Sequence, residues 1–379
     1  MRITDVRPVL LTHPYGSDPN GRRSACFVEV ETDAGIVGTG ETYAGVYVPE
    51  AAAAIVRMFT PLLIGQDACS PEAVYAMVYR ATSYFGRTGL TVMVLSAIEN
   101  ALWDVVGQAH GVPVHALLGG AVHDELPMYG SGGPFTLTVT ELVAQAVDVR
   151  RRGLHGFKMR IGFFRYEPAV EAERVAAVRE AIGPDLALAI DAVQSYNPRP
   201  WSVKQAAHLL RVLEPYDLAW AEEMLPPFDP LPYAELRRAT STPISGGEGI
   251  TTATQFEQWL RAGAFDLAQP DATIIGGIGE ARRACEAAAA RGVPVAVHVW
   301  GSAPTLAANV HLAVAMPGCR WVEQPVLGNP LEAEAFVEPL VVVDGRVRPP
   351  TAPGLGVRIT DEMRAKYAFV PGSGSTFGV

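Results

Sequence analysis

From about residue 125 the chain repeats one unit eight times: a short apolar strand, then an amphipathic helix. The strand segments are 126–131, 156–161, 186–191, 218–223, 243–248, 265–270, 294–299 and 319–324. Helical stretches such as ELVAQAVDVRRRG, VKQAAHLLRVLE and ATQFEQWLRAG lie between them. Eight strand–helix units over ~200 residues fit an α/β chain whose parallel sheet closes into a (β/α)8 TIM-type barrel. An open doubly wound sheet is the competing arrangement, but it usually has fewer strands.

The segment before the barrel, 1–124, has a different rhythm. Residues 2–11 and 25–42 alternate apolar and polar, with Asp33-Ala34-Gly35 as a hairpin turn. Three apolar helical stretches follow between about 48 and 118. This predicts an N-terminal α+β capping domain (1–124) and a catalytic barrel (125–329). A C-terminal segment (330–379) then returns to the cap, with a hairpin at 340–350 and a flexible tail, GSGSTFGV, at the end.

Charge and cysteine use narrow the function. Lys+Arg 30 against Asp+Glu 40 gives a net charge of −10, with no basic block. Such a chain is expected to bind neither nucleic acid nor a membrane surface. The four cysteines, Cys26, Cys69, Cys285 and Cys319, form no C-x-x-C pair, which argues against a zinc site and fits a reducing compartment. The N-terminus does not read as a signal peptide, and the expected location is the cytoplasm.

In a barrel of this kind active-site side chains sit at the C-terminal ends of the strands. Reading those ends gives Lys158 and Arg160, then Asp191, Glu222 with Glu223, Glu248, Asp271, His298 and Glu323. Successive positions from Lys158 to Glu323 are 23 to 33 residues apart, one strand–helix unit each. Charged groups in register on seven strands are too expensive for a purely structural core.

Asp191, Glu222 and Glu248 would repel one another unless a cation lay between them. Oxygen-only ligands favour a hard divalent ion, Mg²⁺ above all. Taken singly, each is better read as a rim salt bridge, but three in register point to the cation. Asp271 beside His298 would fix the imidazole tautomer and raise its basicity, as a general base or acid requires. Lys158, one of only three lysines, is either a base with a lowered pKa or a counter-ion to the carboxylates. Arg160 cannot give up its proton and is an electrostatic clamp. Gly276-Gly277-Ile278-Gly279 lacks full dinucleotide spacing and reads as a turn opening a helix.

The stretches GFKMRIG, IDAVQSY, AEEM, GGEGI, QPDATIIGG, VHVWG and WVEQP together resemble the enolase superfamily, mandelate racemase subgroup, over almost the whole chain. The resemblance implies Asp191, Glu222 and Glu248 as Mg²⁺ ligands and Asp271–His298 as the family's dyad. It implies Glu323 as the acid that hydrogen-bonds the enolate, and places Lys158 and Arg160 on the K-x-K motif. Three departures stand out. Arg160 replaces the second lysine, Asp191-Ala192-Val193 replaces Asp-x-Asn, and Glu222-Glu223-Met224 replaces Glu-Glu-Pro.

Such enzymes remove the proton α to a carboxylate through a stabilised enediolate. With Arg160 in place, a one-base route from His298 is the simplest, and the expected reaction is dehydration of a sugar acid to a 2-keto-3-deoxy acid. Racemisation or epimerisation through Lys158 and His298, and lactone cycloisomerisation, are the alternatives. A non-catalytic ligand-binding member is the alternative of another class. Specificity is expected from cap loops 13–24 and 43–48, with Arg22, Arg23, Tyr43 and Tyr47 meeting the substrate and Gln194 and Trp300 lining the pocket. A small-molecule carboxylate, a sugar acid or its lactone, is the implied partner, in a homo-oligomer.

Overall fold

The structure is a computed structural model that describes residues 1–16, 21–162 and 164–375 of the chain. Strands β1 (Ile3–Pro14), β2 (Arg22–Thr32) and β3 (Val37–Thr42) form an antiparallel sheet in sequence order. Gly35 makes the β2–β3 turn with φ +74, a left-handed conformation that costs glycine little. The first two strands are longer than the sequence pattern suggests. Their ladder runs out to His13↔Arg23 and Pro14↔Arg22, so much of the expected 13–24 loop is paired strand. Residues 17–20 of that loop lie outside the described residues.

Helices α1 (Pro49–Leu63), α2 (Pro71–Thr82), α3 (Leu90–His110) and the single turn α4 (Val114–Leu117) complete the cap. The central helix α3 lies directly on β3. A Cβ at Gly38 or Gly40 would come within 2.0 Å of the Ala101 or Ala97 carbonyl oxygen, so only glycine permits this approach. By length and composition α3 is apolar enough to cross a bilayer, but most of it is buried inside the protein.

The barrel follows as β4 (Leu126–Gly132), α5 (Val139–Arg151), β5 (Gly156–Arg160), α6 (Pro168–Ile182), β6 (Ala187–Asp191), α7 (Val203–Leu213) and β7 (Trp220–Glu222). It continues through α8 (Pro230–Arg238), β8 (Ile244–Gly246), α9 (Ala253–Ala262), β9 (Leu267–Ala268), α10 (Ile278–Ala289), β10 (Val295–Val297), α11 (Ala303–Ala315) and β11 (Cys319–Pro325). All neighbours from β4 to β11 are parallel, and β11 pairs with β4 to close the ring. The crossover helices present apolar faces to the strands. Val175, Val178 and Ile182 of α6 and Leu209, Leu210 and Leu213 of α7 are buried in one core with Phe157 and Ile190.

After the barrel come α12 (Pro330–Glu334), the hairpin β12 (Val342–Val343) and β13 (Arg346–Val347), and α13 (Asp361–Lys366). The hairpin adds to the barrel strand β4, whereas the rest returns to the cap. There Leu11 bridges Ala368, and the buried Asp104 carboxylate accepts from the amides of both Thr39 and Leu355. The tail does not behave wholly as the expected flexible segment. Ser373 Oγ bonds the hydroxyls of Thr12 and Ser24, and the Ser375 amide donates to the Val46 carbonyl. Residues 376–379 lie outside the described residues.

The glycine-rich turn 276–279 is occupied by α3. The amides of Gly276, Ile278 and Gly279 donate to Ser96 Oγ, Asn100 Oδ1 and Glu99 Oε1 respectively. Any Cβ at Gly277 would strike Glu99. Cap and barrel are therefore joined through a buried carboxyl.

Burial pushes Glu99 up to about 8, against hydrogen bonds from Trp103 Nε1 and Gly279 N that pull it down. Because its folded value lies above the unfolded one, its contribution to stability is full below about pH 4.5. That contribution is lost as the pH rises through 8. Asp104, pushed up to about 7 by burial, acts in the same direction. Thermal melts from pH 5 to 9 are expected to show Glu99→Gln flattening this decline, by about 1.4 kcal/mol per pH unit for one proton. An identical slope in the variant would show that Glu99 does not carry it.

Candidate active site

The C-terminal ends of the barrel strands meet the cap around a cavity of about 160 Å³. Lys158, Arg160, Asp191, Glu248, His298 and Glu323 line it from the barrel, and Arg23, Tyr43, Tyr47 and Trp300 line its upper wall. A larger hollow of about 730 Å³ opens elsewhere on the barrel, beside Arg237 and Asp266, and holds none of the candidate residues.

His298 follows β10 directly. Its Nδ1 lies 2.8 Å from Asp271 Oδ2. Asp271 Oδ1 is fixed in turn by the Thr273 amide at 2.7 Å, the Thr273 hydroxyl and Asn309 Nδ2 at 3.0 Å. With Nδ1–H given to Asp271, the other nitrogen, Nε2, is the one available for chemistry. That atom lies 3.6 Å from Glu248 Oε2 and 4.0 Å from Glu323 Oε2. The ring also meets Tyr43 edge-on, with centroids 5.8 Å apart. Burial alone would lower the imidazole pKa, but Glu248, Glu323 and Asp271 outweigh it and hold the value at about 10. Positive charge among those carboxylates would bring it back toward neutrality.

The carboxylates crowd because the register brings them together. Arg160 faces Asp191 across β5–β6, and Asp191 faces Glu222 across β6–β7. Burial, with Glu222 nearby, pushes Asp191 up to about 6. Glu223, pushed by burial and Asp191, reaches about 8, and Glu248 is held well above the usual carboxylate range by burial. The turns after β6 and β7 are bent: Val193 and Glu223 have φ of +45 and +43, unusual for non-glycine residues and frequent at functional sites.

Among the described residues, no three His, Cys or acidic side chains already close around one point as a metal would require. Glu222 is instead held by Lys158 Nζ at 2.5 Å, Gln269 Nε2 at 2.5 Å and Trp220 Nε1 at 3.3 Å. The donor set still fits a hard divalent ion in kind. It consists of buried carboxylate oxygens, and burial first, with neighbouring carboxylates second, pushes Asp191 and Glu248 toward protonation.

Lys158 also reaches Glu323 Oε1 at 2.9 Å. Burial would lower its pKa, but Glu222 and Glu323 more than offset this and raise it. In this arrangement Lys158 is a counter-ion and not a free base. Glu323 accepts from the Val299 amide, which ties β11 to the His298 turn.

Two expected substrate residues stand apart. Arg22 is exposed at the start of β2, because strand alternation turns it away from the face that Arg23 presents. Gln194 is buried, with its carboxamide spent on Ala192 O, Asn197 Nδ2 and the Trp201 amide, so it supports the turn after β6. Other cavity residues were not singled out from sequence: Tyr15, Ser131, Phe135, Tyr196 and Ser375. Glu223 was read only as the companion of Glu222. Its carboxyl is buried, accepts from Ser195 Oγ at 2.5 Å and faces Asp191. The acidic doublet was its signal, whereas Ser375 had none.

Comparison with known proteins identifies the family. Residues 6–119 match the mandelate racemase / muconate lactonizing enzyme N-terminal domain, and residues 141–363 match the enolase C-terminal domain-like family. D-galactarolactone cycloisomerase of Agrobacterium fabrum is 34% identical over 97% of this chain and 99% of its own length. L-talarate/galactarate dehydratase of Salmonella typhimurium is 31% identical, over 89% and 80%. The crystal structure of L-talarate dehydratase from Polaromonas sp. JS666, complexed with Mg and L-glucarate, superposes with a TM-score of 0.83 at 31% identity, over 96% of both chains. The chain belongs to the mandelate racemase/muconate lactonizing enzyme family of the enolase superfamily.

Proposed function

We propose that this protein is a Mg²⁺-dependent sugar-acid dehydratase in which His298 is the single base. The His298–Asp271 pair carries the reading, because its geometry leaves only Nε2 to take a proton inside the cavity. Asp191, Glu222 and Glu248 would hold Mg²⁺, whose positive charge favours the substrate carboxylate as it becomes an enediolate. Glu222 must exchange its present donors to do so.

Nε2 of His298 accepts the α-proton, and Asp271 keeps the imidazolium oriented. The same imidazolium returns that proton to the departing β-hydroxyl, which leaves as water. The resulting enol tautomerises to a 2-keto-3-deoxy acid. Lys158 keeps positive charge beside Glu323, and the resemblance gives Glu323 the hydrogen bond to the enolate. Arg160 cannot act as a base, which counts against a two-base racemase.

Lactone opening is the second reading, favoured by the 34% identity to a cycloisomerase over nearly the full chain. The same α-proton is removed, but the group expelled is a carboxylate, which needs no proton from the imidazolium.

Incubation with sugar acids and lactones in D₂O with Mg²⁺, followed by proton NMR, tests both. A new 3-deoxy signal from an open-chain acid is expected. The same signal from a lactone alone would select ring opening. α-Deuteration without elimination would overturn both in favour of racemisation or epimerisation.

A further inference from the structure

We propose that Arg23 and Arg160 form a seat for a second carboxylate, so that the substrate is a sugar diacid or its monolactone and not a sugar monoacid. This rests on the sugar-acid reading above.

The two guanidinium groups come from different domains, β2 of the cap and the end of β5 in the barrel, and both line the cavity. Arg23 is only 5% exposed, and Arg160 is partly buried. Among the described residues, neither has an acidic oxygen within 4.0 Å, whereas the similarly buried Arg174 is paired with Glu171. They share one aromatic surface: the Trp300 ring centroid lies 5.7 Å from the Arg23 guanidinium carbon and 4.6 Å from that of Arg160. Arg23 also sits 4.7 Å over Tyr15 and reaches the Trp300 carbonyl at 3.4 Å. Ring faces and one long carbonyl contact are weak substitutes for an anion. Asp191, the register neighbour of Arg160, attracts it from beyond 4.0 Å and is shared with Lys158 and the carboxylate cluster.

The cavity is therefore polarised. One pole holds surplus carboxylates that call for a cation and, with it, the substrate's reacting carboxylate. The other holds the buried Arg23 and the partly buried Arg160, neither with an acidic oxygen within 4.0 Å among the described residues. An uncompensated buried charge is costly, so this pole is best matched by a ligand that supplies the negative partner. Guanidinium forks suit a carboxylate in particular.

The seat has a different consequence for each reaction. An open-chain diacid brings its second carboxylate already charged, so the seat acts on binding. With a monolactone that carboxylate is created in the reaction. The α C–H bond breaks with its proton passing to His298, the C=C bond forms, and the ester C–O bond breaks with its electron pair staying on the carboxylate oxygen. The seat then stabilises the leaving group, and its loss falls on kcat.

The test uses galactarate, its monolactone and galactonate with Mg²⁺. Binding is measured by calorimetry on His298→Asn, whose turnover is too slow to disturb the titration, and turnover is measured on the otherwise native enzyme. Galactarate is expected to bind on the order of 10²-fold more tightly than galactonate. Arg23→Met or Arg160→Met should erase that preference while changing galactonate binding by only a few fold. Arg23→Lys, which keeps the charge, should restore part of it and shows that the loss is not a folding defect. Equal binding of galactarate and galactonate, or an equal loss of both in the Met variants, overturns the seat and leaves the sugar-acid reading standing. If neither acid is bound or converted, both readings fall.

Discussion

His298→Asn is expected to lower turnover roughly 10³- to 10⁴-fold while leaving the fold and Mg²⁺ binding intact. The reason is local. An asparagine amide reaches about as far as Nδ1 and still offers Asp271 a donor, so the buried carboxylate that Thr273 and Asn309 hold is not orphaned. Only Nε2 is lost, the one atom of the dyad that faces the carboxylate pole. If catalysis runs from a single base, nothing nearby replaces it. Lys158 is committed to Glu222 and Glu323, and Arg160 does not deprotonate. Steady-state rates together with calorimetric Mg²⁺ titration decide the matter. Residual activity within tenfold of the parent would mean that another base exists, and Lys158 would be the first candidate.

Removing the cation should have a comparable effect. Chelation is expected to reduce turnover to background, and added Mg²⁺ should restore it. Without a cation, Asp191, Glu223 and Glu248 are buried close together and pushed toward protonation, which is an energetic burden on the folded state. Mg²⁺ should therefore raise the melting temperature by several degrees at saturation, through preferential binding to the folded protein. Glu248→Gln should weaken Mg²⁺ at least 10²-fold and remove most of that rise. A melting temperature indifferent to Mg²⁺, with activity surviving chelation, would sink the metal assignment.

The barrel and the gathering of charged residues at its mouth were legible because both follow from periodicity. Once the strand–helix unit is recognised, residues at or next to the C-terminal end of each strand fall at a similar height, and that places Asp191, Glu222, His298 and Glu323 without any knowledge of side-chain contacts. The substrate end was harder to read. Arg22 and Arg23 are adjacent and chemically identical, and only the ladder that pairs Pro14 with Arg22 decides which faces inward. Gln194 looked like a pocket residue because it lies near Asp191, but the left-handed bend at Val193 turns it into the core. Gly276–Gly279 resembled a phosphate loop because turns of many kinds need glycine. What decides its use is a helix 180 residues away in sequence, which no local pattern encodes. The proposed metal set rests on composition and not on conformation, since Glu222 is engaged by Lys158 and Gln269.

The docked tail bears on how such a protein matures and ages. Ser375 lines the cavity, and Gly374 packs so close to the Tyr47 carbonyl oxygen that a Cβ there would lie 2.3 Å from it. The closing ladder between β11 and β4 is complete by residue 325, so a growing chain can form its barrel well before the last piece of the pocket wall leaves the ribosome. Conversely, loss of residues 373–375 would spare every barrel strand while opening the chamber. Soluble, correctly folded protein from a cell extract would then be no guarantee of a working enzyme, and the mass of the intact chain would be the better measure of quality.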